Sequence, residues 1–431
     1  MKSVFYLLAS LGLLCSTASY ANLLNIAPES VEAQAWTIVD PQSGQVIAEH
    51  NSHVKRAPAS LTKMMVAYIA LKEIQTGQLK LDEVLTVSPV VNQVMWDESQ
   101  MRLKVGESVS VDTLLAGLIV MSANDAALML AERISGHVPN FVARMNLEAK
   151  ALGMQDTNFE NPPGITMPEH YSSAADLALL GQALVNQTPY YLHYSKMPNF
   201  SYHNIFHHAT NLLLPVDASV DGLKTGFTKA AGYNLALTAK RPTGNPYTPE
   251  RRLLVVVLGT PNAQKRAEVA HKLMNIAYTY TRNEAVIKAG QTVAEIPVKK
   301  SNYTWFHVKA LTPQVATTSL YQQSFPIHLQ DFDQASQRLR YTALNGAVQV
   351  IEPLTQTQTK LDIHLPQQSL AAPLQQKMDL AEVKVYQNDQ LLRSFSIENQ
   401  INLDSINIFA QFSNWLNDLW HQVKRKAKIM L

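Results

Sequence analysis

The alternation of apolar and polar positions divides the chain into two structural regions. Between residues 35 and 258, strand-like runs lie at both ends, and long helical patterns fill the middle. The strand-like runs fall at 35–39, 46–48, 233–239 and 252–258, and the helical patterns fall at 60–74, 111–135 and 173–186. Short β-type runs joined by turn residues predict hairpins, whereas apolar positions recurring every three to four residues predict helices. The region is therefore predicted to be α+β, with helices on a mostly antiparallel sheet.

The second region is rich in strands. A helical pattern at 263–280 precedes it, and residues 286–399 then carry alternating runs with almost no helical period, for example at 304–308, 347–351, 361–365 and 381–386. A chain of 431 residues also exceeds the usual size of a single hydrophobic core. We therefore expect an α+β domain at 22–283 and a smaller β-rich domain at 284–399.

The beginning of the chain has the pattern of an export signal. Residues 1–21 combine Lys2, a short apolar run and small residues before Ala21, as a secretory signal peptide does. A retained membrane span is disfavoured because the apolar run is short. Lipidation of Cys15 is disfavoured by the bulky Leu14 before it. Removal of the signal would take away the only cysteine, so we expect a periplasmic protein without disulfides.

The end of the chain, at 400–431, predicts an amphipathic helix. Its apolar stripe contains Ile408, Phe412, Trp415, Leu416, Leu419 and Val423, and four basic residues follow at 424–428. Such a helix suits the interface of an anionic membrane and is too polar to span one. We therefore expect peripheral attachment to the inner membrane, and packing of this helix on the β-rich domain is the alternative.

The overall charge of the chain disfavours one class of partner, the nucleic acids. The chain has 36 Lys and Arg against 34 Asp and Glu, a formal net charge of +2. Such a balance provides no general field for a polyanion, so we expect no nucleic-acid partner.

Candidate chemistry begins at the first long helix. Ser-Leu-Thr-Lys at 60–63 opens this helix, and the spacing of three residues places Lys63 on the same face as Ser60. A lysine that is desolvated beside a second cation becomes neutral more easily and can then accept the serine proton. The pair alone is weak evidence, because Ser52 and Lys55 show the same spacing without an apolar helix after them.

Two further motifs make the signal specific. Ser-Ala-Asn at 122–124 lies within an apolar helical region, and Lys-Thr-Gly at 224–226 lies just before a strand. Together and in this order, the three motifs are similar to those of the penicillin-recognising serine enzymes, the penicillin-binding proteins and serine β-lactamases. The wider sequence around them resembles the low-molecular-weight penicillin-binding proteins of the D-alanyl-D-alanine carboxypeptidase type, over nearly the whole mature chain.

This resemblance implies a role for each motif residue. Ser60 would be acylated, Lys63 would be its general base, and Ser122 would relay a proton to the departing D-alanine. The implied substrate-binding residues are Asn124, Lys224, Thr225, Gly226, Phe227 and Arg252. The oxyanion hole would consist of the backbone N–H groups of Ser60 and Phe227, with Thr225 and Arg252 as candidates for the substrate carboxylate. Other members have histidine where this chain has Phe227, so we expect a changed rate or preference there.

The expected activity is removal of the terminal D-alanine from peptidoglycan stem peptides ending in D-Ala-D-Ala, without cofactor or metal. We also expect acylation by β-lactam antibiotics. A D,D-endopeptidase and a weak β-lactamase are the enzymatic alternatives. A non-catalytic wall-binding scaffold is the alternative from another class, although a scaffold does not require Ser60, Lys63, Ser122 and Lys224 together.

Overall fold

The computed structural model of the protein describes residues 22–203, 205–342, 346–405 and Leu416. The predicted signal segment at 1–21 lies outside these described residues, as does most of the predicted amphipathic helix at 400–431. Within the described part of the chain, no helix combines the length and the apolar character needed to cross a bilayer.

The first region has strands at both ends and helices between them, as the hydrophobic pattern predicts, and it also has short strands among the helices that the pattern does not predict. Its strands are β1 (Ala35–Asp40), β2 (Gln45–His50), β3 (Val84–Thr86), β4 (Ser108–Ser110), β5 (Asn199–Tyr202), β6 (Ile205–His208), β7 (Val220–Thr228), β8 (Gly232–Asn245) and β9 (Thr248–Thr260). Its helices are α1 (Lys63–Gln75), α2 (Val111–Val120), α3 (Asn124–Ser135), α4 (Val138–Ala151), α5 (Ala174–Asn186), α6 (Tyr191–Ser195) and α7 (Ala263–Tyr280).

A five-stranded antiparallel sheet with the order β2-β1-β9-β8-β7 forms the centre of this region. Because successive side chains of a strand point to opposite faces, β9 contributes to two cores. Leu254, Val256 and Leu258 lie in the core that includes residues of α1 to α6. Leu253, Val255 and Val257 lie in the core shared with α7. The predicted α+β class, with helices on an antiparallel sheet, is confirmed.

Two predicted boundaries differ from the structure. The expected single helix at 111–135 is divided into α2 and α3, because Ser122 has a positive φ of 63° that a continuing helix does not allow. The strand-like runs at 233–239 and 252–258 extend further than predicted, because β8 and β9 continue to Asn245 and from Thr248, with Pro242 opposite Glu250 and Asn245 opposite Thr248. The β8–β9 hairpin is therefore longer than its turn residues suggest.

The second region consists of small sheets. Its strands are β10 (Thr281–Ile287), β11 (Thr292–Lys299), β12 (Trp305–Lys309), β13 (Gln314–Ser319), β14 (Phe332–Asp333), β15 (Arg338–Thr342), β16 (Val348–Ile351), β17 (Thr359–His364), β18 (Leu370–Ala371), β19 (Asp379–Gln387) and β20 (Gln390–Glu398). They pair as β10-β13, β12-β11-β18, β14-β15-β16 and β17-β19-β20.

The two regions share a core. Ile327, Leu339 and Ile351 of the strand-rich region pack with residues of α7, and the Tyr280 hydroxyl donates a hydrogen bond of 2.6 Å to the carbonyl oxygen of Ile351. Ile26 near the start of the described chain forms a parallel bridge with Ile327. The boundary predicted between residues 283 and 284 falls inside β10, so the chain passes between the two regions without a loop.

Candidate active site

Ser60 and Lys63 meet at the entrance to α1. Ser60 lies in the single 3-10 turn Ala59–Thr62, and α1 begins directly afterwards with Lys63. The Lys63 Nζ atom is 3.0 Å from Ser60 Oγ, as the spacing of three residues predicts. Lys63 also donates a hydrogen bond of 2.5 Å to the carbonyl oxygen of Pro163, and its side chain is fully buried. The amine is thus held in contact with the Ser60 hydroxyl, as its expected role of general base requires.

The surroundings of Lys63 favour its neutral form. Burial lowers its pKa well below 10.5, and the nearby Lys224 lowers it further, although Glu98 and Asp125 act in the opposite direction. No carboxylate of the described residues forms an ion pair with Lys63. A neutral amine has a free electron pair, so Lys63 can take a proton from Ser60.

Ser122 and Asn124 lie at the break between α2 and α3. The left-handed backbone of Ser122 ends the first helix, and Asn124 begins the second. The Ser122 hydroxyl is buried and finds no hydrogen-bond partner among the described residues. The Asn124 amide group donates a hydrogen bond of 2.6 Å from Nδ2 to the Glu98 carboxylate. Ser122 and Asn124 are therefore positioned by the break in the helix that was predicted to be continuous.

The third motif lies on β7, the edge strand of the central sheet. Lys224 is buried, donates a hydrogen bond of 3.0 Å to the carbonyl oxygen of Thr225, and has a pKa lowered to about 7 by burial and by Arg266. At Gly226, a Cβ atom would lie 3.0 Å from the backbone nitrogen of Ser60 and 2.9 Å from Leu61 Cδ1. Glycine therefore lets β7 approach Ser60 closely.

Phe227 follows at the end of the motif. Its side chain is half exposed, and its ring centroid lies 4.3 Å from that of Tyr233 on the neighbouring strand. The ring thus packs against β8. The backbone of Phe227 directly follows Gly226, where β7 comes close to Ser60.

Arg252 does not join this cluster. Its guanidinium forms two hydrogen bonds with Asp221, of 2.6 and 2.7 Å, and its backbone pairs with Lys240. Thr225 pairs with Leu235, which in turn pairs with Val257, so Arg252 lies five residues away along β9. The expected role in carboxylate binding requires the Arg252 guanidinium to lie beside Thr225. The structure does not place it there.

Arg266 is a buried cation near Lys224 that the sequence motifs did not indicate. It lies in the first turn of α7, directly after β9, and this turn is at the same end of the sheet as Tyr233 and Phe227. The Arg266 side chain is buried, donates to the carbonyl oxygen of Thr210 at 3.1 Å, and is close enough to lower the pKa of Lys224. Burial lowers the pKa of Arg266 itself to about 10, which keeps it cationic at neutral pH.

His170 is a second missed residue, and it supports the floor of the site. Its Nδ1 accepts a hydrogen bond of 2.9 Å from the backbone N–H of Glu160, so its Nε2 carries the proton and donates to Thr62 Oγ1, also at 2.9 Å. Burial and the neighbouring Lys63 lower the pKa of His170 to about 4. A neutral His170 therefore ties the turn that carries Ser60 to the loop that carries Pro163.

The loop itself is shaped by Asn161 and Gly164. The Asn161 side-chain oxygen accepts hydrogen bonds from the backbone nitrogens of Gly164 and Ile165, at 2.8 and 2.9 Å. Gly164 has a φ of 86°, and a Cβ atom there would lie 2.1 Å from the carbonyl oxygen of Ala59. These contacts hold the Pro163 carbonyl against Lys63. Among the described residues, no group of three or more His, Cys, Asp or Glu side chains could hold a metal ion.

The chain is similar to known proteins in both sequence and fold. The family model described as D-alanyl-D-alanine carboxypeptidase matches residues 23–262. D-alanyl-D-alanine carboxypeptidase DacD of Salmonella typhimurium is 30% identical over 430 residues, which cover 98% of this chain and 99% of that protein. The crystal structure of penicillin binding protein 5 from Haemophilus influenzae has a TM-score of 0.73 and 28% identity, covering 88% of this chain and all of that one. Penicillin-Binding Protein D2 from Listeria monocytogenes, in its ampicillin-bound form, has a TM-score of 0.50 and 32% identity over 57% of this chain and 96% of that one.

Proposed function

Because the chain belongs to the D-alanyl-D-alanine carboxypeptidase family, we propose that it removes the terminal D-alanine from peptidoglycan stem peptides through an acyl-enzyme on Ser60. The observation that carries this proposal is the contact of 3.0 Å between Ser60 Oγ and the Nζ atom of the buried Lys63. Amide hydrolysis by a serine needs a base within hydrogen-bond reach of the hydroxyl, and burial makes this lysine a usable base.

The reaction has two steps. In the first, Ser60 Oγ attacks the carbonyl carbon of the penultimate D-alanine, and its proton passes to Lys63. The carbon–nitrogen bond then breaks, and the leaving D-alanine takes up a proton that Ser122 relays from Lys63. In the second, water attacks the ester carbon, gives its proton to the Ser60 oxygen and releases the shortened peptide. The unpartnered Ser122 hydroxyl supports the relay, because it is free to donate and to accept.

The negative charge on the substrate oxygen needs donors in the transition state. The backbone nitrogen of Ser60 is next to β7 because Gly226 lacks a side chain. This close approach supports an oxyanion hole made from the N–H groups of Ser60 and Phe227. A histidine-to-phenylalanine difference at 227 leaves a backbone donor in place.

The terminal carboxylate of the substrate needs a cation. Lys224 and Arg266 are both buried at the active-site end of the sheet, and no carboxylate of the described residues forms an ion pair with either. Arg252 is already neutralised by Asp221. We therefore assign the carboxylate to Arg266 and Thr225 instead of Arg252. The Arg266→Gln variant should show a raised KM for D-Ala-D-Ala peptides, and Arg252→Gln should keep the native KM.

The nucleophile is tested by mass spectrometry after incubation with penicillin. We expect one acyl adduct on the peptide containing Ser60 and none in the Ser60→Ala variant. The matched control is Ser52→Ala, which alters the other Ser-x-x-Lys sequence and should be labelled normally. A label on Ser52 would assign the reaction to a different serine.

The type of reaction is tested with three substrates. A carboxypeptidase releases D-alanine from a free pentapeptide faster than it cleaves a cross-linked dimer, and it turns over penicillin slowly. Faster cleavage of the dimer would indicate the endopeptidase, and rapid penicillin turnover would indicate a β-lactamase.

We also propose that the protein is periplasmic and attached peripherally to the inner membrane by residues 400–431. The proposal rests on the sequence, where Phe412, Trp415 and Leu419 share a stripe and a basic segment follows. Truncation before Ile401 should give an active enzyme that no longer sediments with anionic vesicles. The full mature chain should sediment at low salt and less as salt rises, because the basic segment is screened. A full chain that stays in the supernatant at low salt would contradict attachment.

A further inference from the structure

The turn between β11 and β12, residues 299–305, exposes two aromatic side chains. Tyr303 and Trp305 are two residues apart, and 60% and 51% of their surface is accessible. The backbone N–H of Tyr303 donates to the buried Ser301 hydroxyl at 3.1 Å. The N–H of Val298 donates to the carbonyl oxygen of Thr304 at 3.0 Å. The β11–β12 turn is therefore held in one shape while its aromatic rings lie in solvent.

The same turn is basic. Lys299 and Lys300 are exposed, and neither forms an ion pair with another residue that the structure describes. The sequence from 296 to 311 contains no Asp or Glu. At a membrane interface, tyrosine and tryptophan rings lie at the level of the headgroups, and lysines are attracted to anionic lipids. The residue types of the β11–β12 turn thus match the surface of an anionic bilayer.

The short strand β18 places a later part of the chain beside this turn. β18 runs parallel to the end of β11, with Val298 opposite Leu370 and Lys299 opposite Ala371. The backbone N–H of Ala372 then donates to the carbonyl oxygen of Lys299 at 3.0 Å. The chain that follows β18 therefore starts next to the β11–β12 turn.

The C-terminal segment leaves the strand-rich region at the same place. Leu374 forms an antiparallel bridge with Leu403, and their backbones exchange hydrogen bonds of 2.8 and 3.0 Å. Because the bridge is antiparallel, the residues after Leu403 run back towards Ala372. Ser405 is exposed, and the apolar stripe of the predicted amphipathic helix begins three residues later, at Ile408. The predicted membrane segment thus starts close to the exposed aromatic and basic side chains of the turn.

We propose that the β11–β12 turn is a second membrane contact, which touches the headgroups of an anionic bilayer once the C-terminal segment has attached. The inference rests on the proposed attachment through residues 400–431. The turn alone is too small to hold the protein, since stable peripheral attachment takes more than one weak signal. Two contacts restrict the tilt of the strand-rich region, and the core shared with α7 passes this restriction to the first region.

A fluorescent probe on the turn tests the contact directly. The only cysteine of the chain is Cys15, inside the predicted signal segment, so the mature chain allows a single labelled site. Asn302→Cys, at an exposed position of the turn, carries a dye whose emission shifts to the blue in an apolar medium. A polyhistidine tail on the full mature chain binds vesicles that contain nickel-chelating lipid, so the readout does not require the predicted helix to bind.

The matched control is a label at Gln358→Cys, which is also exposed and uncharged. The strand β19 begins five residues after Leu374 and extends about 25 Å to Gln387, which pairs with Thr359. Gln358 therefore lies at the other end of β19 from the C-terminal exit. On vesicles of phosphatidylcholine and phosphatidylglycerol, the dye at position 302 should shift to the blue and be quenched by spin-labelled lipid. The dye at position 358 should do neither.

The basic side chains are tested by vesicle binding of the untagged full chain. Lys299→Gln and Lys300→Gln should each weaken partition onto phosphatidylglycerol vesicles at low salt by about fivefold, the usual effect of one lysine near an anionic surface. Lys309→Gln, at the other end of β12, is the matched control and should keep the native partition. Trp305→Ser should weaken binding to anionic and neutral vesicles alike, because its ring acts through the interface and not through charge. Thermal unfolding and penicillin labelling establish that each variant is folded.

Three results would overturn the inference. The first is a dye at position 302 whose emission on the tethering vesicles remains that of the protein in solution. The second is an equal shift at positions 302 and 358, and the third is native partition in both lysine variants. Failure of the proposed anchor is a separate result, because the untagged chain would then stay in the supernatant while the dye at position 302 still responds on the tethering vesicles.

Discussion

Buried cationic side chains lie both at the junction of the two structural regions and in the active site, and their hydrogen-bond partners differ. At the junction of the two regions, Arg251 donates to the Asp40 carboxylate at 2.8 Å, and both side chains are almost fully buried. Two further Arg251 N–H groups donate to the backbone and side-chain oxygens of Thr281. In the active site, Lys63 and Lys224 are equally buried, and no carboxylate of the described residues forms an ion pair with them.

The difference separates a structural arrangement from a catalytic one. A paired and fully hydrogen-bonded charge stays ionised and holds two segments together. An unpaired buried lysine loses its proton easily, which destabilises the fold and provides a base. The protein thus carries an unfavourable electrostatic arrangement at the place where the proposed reaction transfers a proton.

The largest expected effect comes from making the active-site charge permanent. Lys63→Arg keeps the cation but cannot deprotonate near neutral pH, so penicillin acylation of Ser60 should slow by about 10²- to 10⁴-fold, the usual contribution of a general base. Stopped-flow or quenched labelling measures this rate. The matched control is Lys72→Arg on the same helix, where the lysine is paired with Glu148 at 2.7 Å. An acylation rate within a few-fold of native in Lys63→Arg would mean that another group is the base.

Breaking the junction pair should have the next largest effect. Asp40→Asn leaves Arg251 buried without its counterion, so the free energy of unfolding should fall by about 3–5 kcal/mol. Urea unfolding of the full chain measures the loss. Glu250→Gln is the comparison, since it removes an exposed partner of Lys240 and should cost about 1 kcal/mol or less. Equal losses in the two variants would contradict the argument that the buried pair depends on its counterion more than an exposed pair does.

Replacing Lys224 by Met should stabilise the protein while impairing catalysis. The folded pKa of about 7 is below the ordinary value of 10.5, so the unfolded chain binds more protons between pH 7 and 10.5. Native stability therefore rises with pH in that window and is lowest below it. Lys224→Met should make this rise shallower by up to about 1.4 kcal/mol per pH unit, and should stabilise the fold by about 1–3 kcal/mol at pH 7. An unchanged slope in urea unfolding at several pH values would show that Lys224 is not desolvated.

The smallest effect concerns the coupling of the two lysines. Burial is the main cause of the lowered pKa of Lys63, and Lys224 is the second. Lys224→Ala should therefore raise the pKa of Lys63. The acylation rate falls as the solution is acidified, because Lys63 becomes protonated. In Lys224→Ala the midpoint of this fall should lie about one pH unit higher or less, whatever the change in maximal rate. Lys229→Ala, at an exposed position of the same segment, is the control and should leave the acid limb in place. A shift towards lower pH in Lys224→Ala would contradict the coupling.

The parts of the site that were predictable are those with local spacing. Ser60 and Lys63 are three residues apart on one helix, so their contact follows from helix geometry alone. The helix α7, predicted at 263–280, likewise follows from its apolar period. These features depend on neighbours in sequence, which is why the sequence reveals them.

The remaining parts depend on strand register and on loops. Arg252 and Arg266 both follow the third motif, and only the pairing of β9 with β8 decides which one lies near Thr225. Glu98 and His170 are in loops without a periodic pattern, and their contacts with Asn124 and Thr62 span 26 and 108 residues. The break at Ser122 was hidden in a continuous apolar run, where tertiary contacts override helical preference.

The pairing of β1 with β9 has a consequence for the order of folding events. Trp36 pairs with Val257, which lies 221 residues further along the chain. A contact between such distant residues has to close a long loop before the pairing is rewarded, so we expect it to form late. All six residues of β1 are buried in the finished sheet, so the apolar side chains of β1 stay uncovered until β9 joins it. Until then, the hairpin with β2 is the local contact that protects one edge of β1 from pairing with other chains.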